Sequence, residues 1–89
     1  MHQVYLIILG KVQGVFYRAS CLEVAQKLGL TGWVKNLADG SVEVLAQGEK
    51  EKIEKLIEWC KKGPDGAKVD EVKTEWKSIK KNFSDFSII

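Results

Sequence analysis

The apolar residues of this chain switch between two spacings, short β-branched runs and stripes of helical period. Residues 4–9, Val-Tyr-Leu-Ile-Ile-Leu, form a β-branched and aromatic run that stops at Gly10, which predicts a buried strand. After the short loop Lys11-Val12-Gln13-Gly14 the spacing changes. Tyr17, Cys21, Val24, Ala25 and Leu28 recur at helical intervals, and Gly29 is placed to stop that helix. Residues 31–38 read as a strand, Asp39-Gly40 as the positive-φ dipeptide of a hairpin, and 41–47 as the return strand. Ile53, Leu56, Ile57 and Cys60 predict a second helix. Glu49 and Glu51 occupy its first turn, Glu51–Lys55 and Glu58–Lys62 are spaced as ion pairs, and Lys61-Lys62-Gly63-Pro64 ends it. Val72, Thr74 and Trp76 alternate in a strand over 68–77, where Asp70-Glu71 breaks the period and predicts a bulge or a shifted start. Residues 77–82 are a polar connection, and 83–89 a short closing strand on the alternation of Phe86 and Ile88.

The order β-α-β-β-α-β with a short terminal strand is that of a ferredoxin-like sandwich. This is an α+β fold with two helices on one face of a mainly antiparallel sheet. At 89 residues, 45% hydrophobic and 29% charged, the chain suits one domain over 1–89. Its core is too modest for a large cofactor cradle. No apolar run approaches the roughly 18–20 residues of a membrane span. The first nine residues lack the basic front and cleavage site of a secretory signal, so a cytoplasmic protein without membrane contact is expected. Fourteen basic against twelve acidic residues leave a net charge of +2, too balanced for a nucleic-acid footprint. Sheets of this kind that read single-stranded RNA do so with aromatics on central strands. Here the first strand holds only Tyr5 and the third holds none.

Candidate chemistry emerges by elimination. The only histidine is His2, which removes histidine dyads and triads and the histidine-containing zinc sites. Cys21 and Cys60 have no metal-ligand spacing; they read as buried or half-buried thiols, with a disulfide between them left open. There is no Gly-x4-Gly-Lys-Ser/Thr loop and no Cys-x5-Arg segment. No metal or cofactor is expected. What remains is Gly10-Lys11-Val12-Gln13-Gly14-Val15-Phe16-Tyr17-Arg18, a glycine-bounded loop opening a helix that carries the sole arginine among thirteen lysines. Two readings fit it. Loop and first-turn N–H groups can converge with the positive helix end on an anion, and a planar guanidinium can bind two phosphoryl oxygens where lysine cannot. The same residues also suit a tight strand-to-helix turn with a surface arginine.

The segment 10–18 resembles the acylphosphatase signature Gly-x-Val-Gln-Gly-Val-x-Phe/Tyr-Arg. Gly29-Leu30-Thr31-Gly32-Trp33-Val34-Lys35-Asn36, followed by Asp39-Gly40-Ser41-Val42-Glu43, is similar to the second block of that family. Gln47-Gly48, Lys62-Gly63-Pro64 and Phe86-Ser87-Ile88 fit as well, so the resemblance spans the chain in order. Phe16 departs from it, standing where many members have glycine, and Tyr17 stands where many have phenylalanine. The resemblance implies hydrolysis of a small acyl phosphate to carboxylate and inorganic phosphate, with no metal. It makes Arg18 the phosphate-binding arginine and Asn36 the residue that positions the attacking water. Gln13, Gly14, Val15, Phe16, Tyr17 and Arg18 become the phosphate loop, and inorganic phosphate becomes product and inhibitor. Without the resemblance, Asn36 reads as a strand-end residue bonding the Asp39-Gly40 turn, and Tyr17 as core packing. A monomer is expected. A non-catalytic anion sensor would use the same loop.

Overall fold

The first β-branched run begins the sheet, and the computed structural model, which describes residues 1–89, continues it through seven elements. These are β1 (His2–Lys11), α1 (Tyr17–Lys27), β2 (Thr31–Asn36), β3 (Val42–Gly48), α2 (Lys50–Lys62), β4 (Lys68–Lys77) and β5 (Phe86–Ile88). The strands form one sheet in the order β4-β1-β3-β2-β5. β1 pairs antiparallel with β3 and β4, and β2 pairs antiparallel with β3 but parallel with β5. It follows that β1, β2 and β5 run in one direction. Their C-terminal ends, at Lys11, Asn36 and Ile88, lie at the same end of the sheet.

Alternation decides which face is buried. Val4, Leu6 and Ile8 of β1, Val34 of β2, and Val42, Val44 and Ala46 of β3 are fully buried on the helix side. α1 adds Tyr17, Cys21 and Ala25; α2 adds Ile53, Leu56, Ile57 and Cys60. α1 lies over β2 and β5, and α2 over β1 and β4. Each buried Val, Leu or Ile contributes about 1.5–3 kcal/mol relative to exposure. The other sheet face carries no helix. There Tyr5, Leu45 and Trp33 form one row across β1, β3 and β2. The Tyr5 hydroxyl donates to the Glu43 carboxylate, which also pairs with Lys35 at 3.3 Å. Burial, then the bond and charge of Glu43, push the Tyr5 phenol up to about 12.

The bulge expected at Asp70-Glu71 is present. Leu9 faces Glu71 and Gly10 faces Val69, which leaves Asp70 as the extra residue. Gly10 is required at this kink, because a Cβ there would lie 2.2 Å from the Lys68 carbonyl oxygen. Other boundaries differ from expectation. β2 ends at Asn36, not at 38, and the connection to β3 is longer than a two-residue hairpin. The Leu37 N–H donates to the Ser41 carbonyl at 2.8 Å and the Gly40 N–H to the Leu37 carbonyl at 3.2 Å. Only Gly40 has positive φ, at 93°. The Asp39 carboxylate instead accepts the Ser41 N–H at 3.0 Å and the Ser41 hydroxyl, a turn made by its short side chain. Those bonds, the hydroxyl first, hold the Asp39 carboxyl below its ordinary range.

The closing strand shrinks to Phe86–Ile88 because two glutamines hold the chain before it. β4 and β5 are opposite edges, so the connection between them must cross the sheet. Gln3 Nε2 donates to the Ser78 carbonyl at 3.2 Å; Gln47 Nε2 donates to the Lys81 carbonyl at 2.6 Å and its Oε1 accepts the Phe83 N–H at 3.1 Å. On α2 the expected i,i+4 pairs give way to Glu58–Lys61 at 3.0 Å, an exchange that costs little at an exposed site. Cys21 and Cys60 are both buried and free. No helix is long and apolar enough to cross a membrane.

Candidate active site

The loop after β1 runs into α1 without a side-chain cap. The first bond of the helix joins the Ser20 N–H to the Phe16 carbonyl at 3.0 Å. The N–H groups of Tyr17, Arg18 and Ala19 therefore have no acceptor inside the helix. Those of Gln13, Gly14, Val15 and Phe16 donate to no other group of the protein either. Successive free N–H groups at the positive end of a helix form an anion-binding concavity. The turn that presents them is strained. Phe16 has φ 63° and ψ 25° and is the only non-glycine residue with positive φ. Its position explains why glycine suits it. A side chain in the left-handed region costs about 1–2 kcal/mol, and such strain gathers at functional sites.

A cavity of about 330 Å³ lies at this loop, lined by Val12, Gln13, Gly14, Phe16, Tyr17, Arg18, Ala19, Asn36 and Ile88. The topology assembles it: the parallel strands β1, β2 and β5 all end here. Arg18 makes no ion pair and donates no side-chain hydrogen bond, while the molecule's four ion pairs are all made by lysines. Asn36, the last residue of β2, shares the helix-facing side with Val34. Its Oδ1 is buried and accepts from no protein group. It does not bond the Asp39-Gly40 turn, which is closed by Asp39 and Ser41 instead. The cavity thus holds a free guanidinium, a run of free N–H groups and a free neutral acceptor.

The loop residues do not contribute alike. The Gln13 amide donates to the carbonyls of Leu37 at 2.8 Å and Ser41 at 2.9 Å, so its side chain is engaged with the β2–β3 connection. Tyr17 is 1% exposed and donates its hydroxyl to the Cys60 carbonyl at 2.8 Å, beside the Trp59 ring. Burial holds its phenol neutral far above the ordinary range, so it is no proton donor at working pH. The Cys21 thiol is likewise pushed up, by its hydrogen bond with Cys60 and by burial. Val15 does not line the cavity; its side chain packs against the core. Of Gln13 and Tyr17, only the backbone N–H groups remain for an anion in the cavity. Sequence reasoning missed Ile88, 39% exposed on the rim, and Val12 and Ala19. The parallel pairing of Val34 with Ile88 brings Ile88 there, and no local pattern signals it. No three His, Cys, Asp or Glu side chains converge as metal ligands.

The acylphosphatase family model matches residues 4–88. A relative from Marinobacter nauticus named acylphosphatase is 51% identical over 82 residues, covering 92% of this chain and 89% of its own. The solved structure of acylphosphatase from Bacillus subtilis superposes with a TM-score of 0.97 at 36% identity, covering 100% of this chain and 99% of that one. That of an acylphosphatase from Coxiella burnetii gives 0.95 at 43% identity, covering 99% and 92%. A match that runs from the first strand into the last, through both segments that meet at the cavity, leaves one assignment: the chain belongs to the acylphosphatase family.

Proposed function

We propose that the protein cleaves the carboxyl-phosphate anhydride of small acyl phosphates, giving carboxylate and inorganic phosphate without a metal. The observation that carries this is the meeting at one cavity of the unpaired Arg18, the free N–H groups of Gln13, Gly14 and residues 16–19, and the unpartnered Asn36 Oδ1. The N–H groups and the guanidinium fork hold the phosphoryl oxygens and stabilise the charge that shifts onto them in the transition state. Asn36 Oδ1 accepts a hydrogen bond from a water and holds it opposite the leaving group. The water oxygen bonds to phosphorus as the phosphorus–acyl oxygen bond breaks, and the carboxylate leaves with the electron pair. Asparagine takes up no proton at neutral pH, so the water's proton passes to a phosphoryl oxygen of the substrate. A carboxylate leaves readily without protonation, which is why positioning and charge are sufficient here.

An alkoxide leaving group would need an acid, and the cavity lining contains no carboxylic acid, histidine or reachable phenol. Selectivity for acyl phosphates over phosphate monoesters follows. In this reading inorganic phosphate is both product and competitive inhibitor. In the same reading the protein acts on a small molecule, as a monomer in the cytoplasm. The test is hydrolysis of benzoyl phosphate and of an aryl phosphate monoester with a chelator present. Phosphate release from the first and almost none from the second is expected. Phosphate binding without release would make the protein an anion sensor, and activity that chelation abolishes and added metal restores would overturn the metal-free mechanism.

A further inference from the structure

We infer that the Gln13 side chain is a positioning residue that acts through Asn36, with no contact to the phosphate. The inference rests on the hydrolytic reading above. Gln13 Nε2 faces two carbonyl oxygens, so its orientation is unambiguous and both its amide hydrogens are used. Those carbonyls belong to Leu37 and Ser41, which already bond each other through the Leu37 N–H. The Gln13 amide therefore clasps both ends of the β2–β3 connection to the phosphate loop.

Leu37 follows Asn36 directly, and the Asn36 Oδ1 has no hydrogen bond of its own to fix it. The backbone beside it must do so. Two segments far apart in sequence meet at the cavity: the loop that would hold the phosphoryl group and the strand end that would hold the water. Gln13 is the side chain that hydrogen-bonds from one to the other. A displacement of about 1 Å between such groups can cost about 100-fold in rate.

The experiment is a double-mutant cycle with Gln13→Met, which keeps side-chain length and removes the donor, and Asn36→Ala, assayed on benzoyl phosphate. Gln13→Met is expected to lower kcat about 10- to 100-fold while the inhibition constant of inorganic phosphate moves less than about 3-fold. In the Asn36→Ala background the same replacement is expected to lower kcat little further, because the residue it positions is already gone. Equal losses in both backgrounds overturn the inference, as does unchanged kcat in Gln13→Met, or a phosphate inhibition constant that rises in step with the loss of kcat. Wild-type turnover in Asn36→Ala also overturns it. If Gln13→Met does not fold, Gln13→Asn, one methylene too short to reach, carries the same expectations. Failure of the wild-type protein to hydrolyse the substrate is a separate outcome that defeats the hydrolytic reading itself.

Discussion

At its N-terminus α2 starts from Glu49 in an extended conformation, with φ −68° and ψ 139°, and carries Glu51 in its first turn. Its last turn holds Lys61 and Lys62, and the Gly63 N–H closes on the Trp59 carbonyl at 2.7 Å. Glu51 and the C-terminal lysines offset the helix dipole and the Gly63 N–H satisfies an end carbonyl, although α2 too lacks a side-chain cap and carries Lys50 and Lys52 in its first turn. α1 differs in two respects: it starts from Phe16 in the left-handed region, and its first turn has no acid, Arg18 being the one charged residue there. A cation at that end opposes the dipole by about 0.3–1 kcal/mol, and the Phe16 backbone adds about 1–2 kcal/mol of strain. The two helices pack on the same sheet, so the core does not explain the contrast. A left-handed entry and an acid-free first turn, found together at α1 and not at α2, mark where stability gives way to function.

The contrast can be broken most severely at the guanidinium. Arg18→Lys keeps the charge and the helix propensity but loses the fork. Activity is expected to fall by about 1,000-fold and phosphate inhibition to weaken, with circular dichroism unchanged. Wild-type turnover in this variant would reduce Arg18 to a source of positive potential. A second change imposes the rule of α2 on α1. Ala19 is exposed in the first turn and lines the cavity. Ala19→Glu is expected to raise the melting temperature slightly, by about 0.5 kcal/mol of stability, because a carboxylate suits that helix end. The same carboxylate repels phosphate, so the inhibition constant should rise about 10-fold. A variant both more stable and a better phosphate binder would contradict the trade. The smallest effect belongs to Phe16→Gly, which relieves left-handed strain but loosens the unfolded chain. A net gain of up to about 1 kcal/mol in urea unfolding is expected.

Sequence patterning made the element order legible because alternation and helical stripes mark each buried face, and even the bulge at Asp70 left its mark as a break in period. The loop 10–18 stood out because it opens a helix with the only arginine. Asn36 did not, since a polar residue near a turn has an ordinary structural use that the spacing cannot separate from catalysis. The end of β2 was misread because Leu37 and Ala38 are apolar, while Asp39 closes the turn through its side chain. Gln13 and Ile88 were opaque for one reason. Their roles depend on contacts with Leu37, Ser41 and Val34, which lie far away in the chain and are set by the sheet order.

The proposed phosphate site turns on which amides would receive the anion. A titration of the 15N-labelled protein with inorganic phosphate, followed by amide shifts, observes this directly. The amides of residues 13–19 and the Arg18 guanidinium are expected to shift together along one saturating curve, with the first turn of α2, from Lys50 to Ile53, left unmoved. Shifts spread equally over both helix N-termini and the surface lysines would contradict a built phosphate cradle at α1.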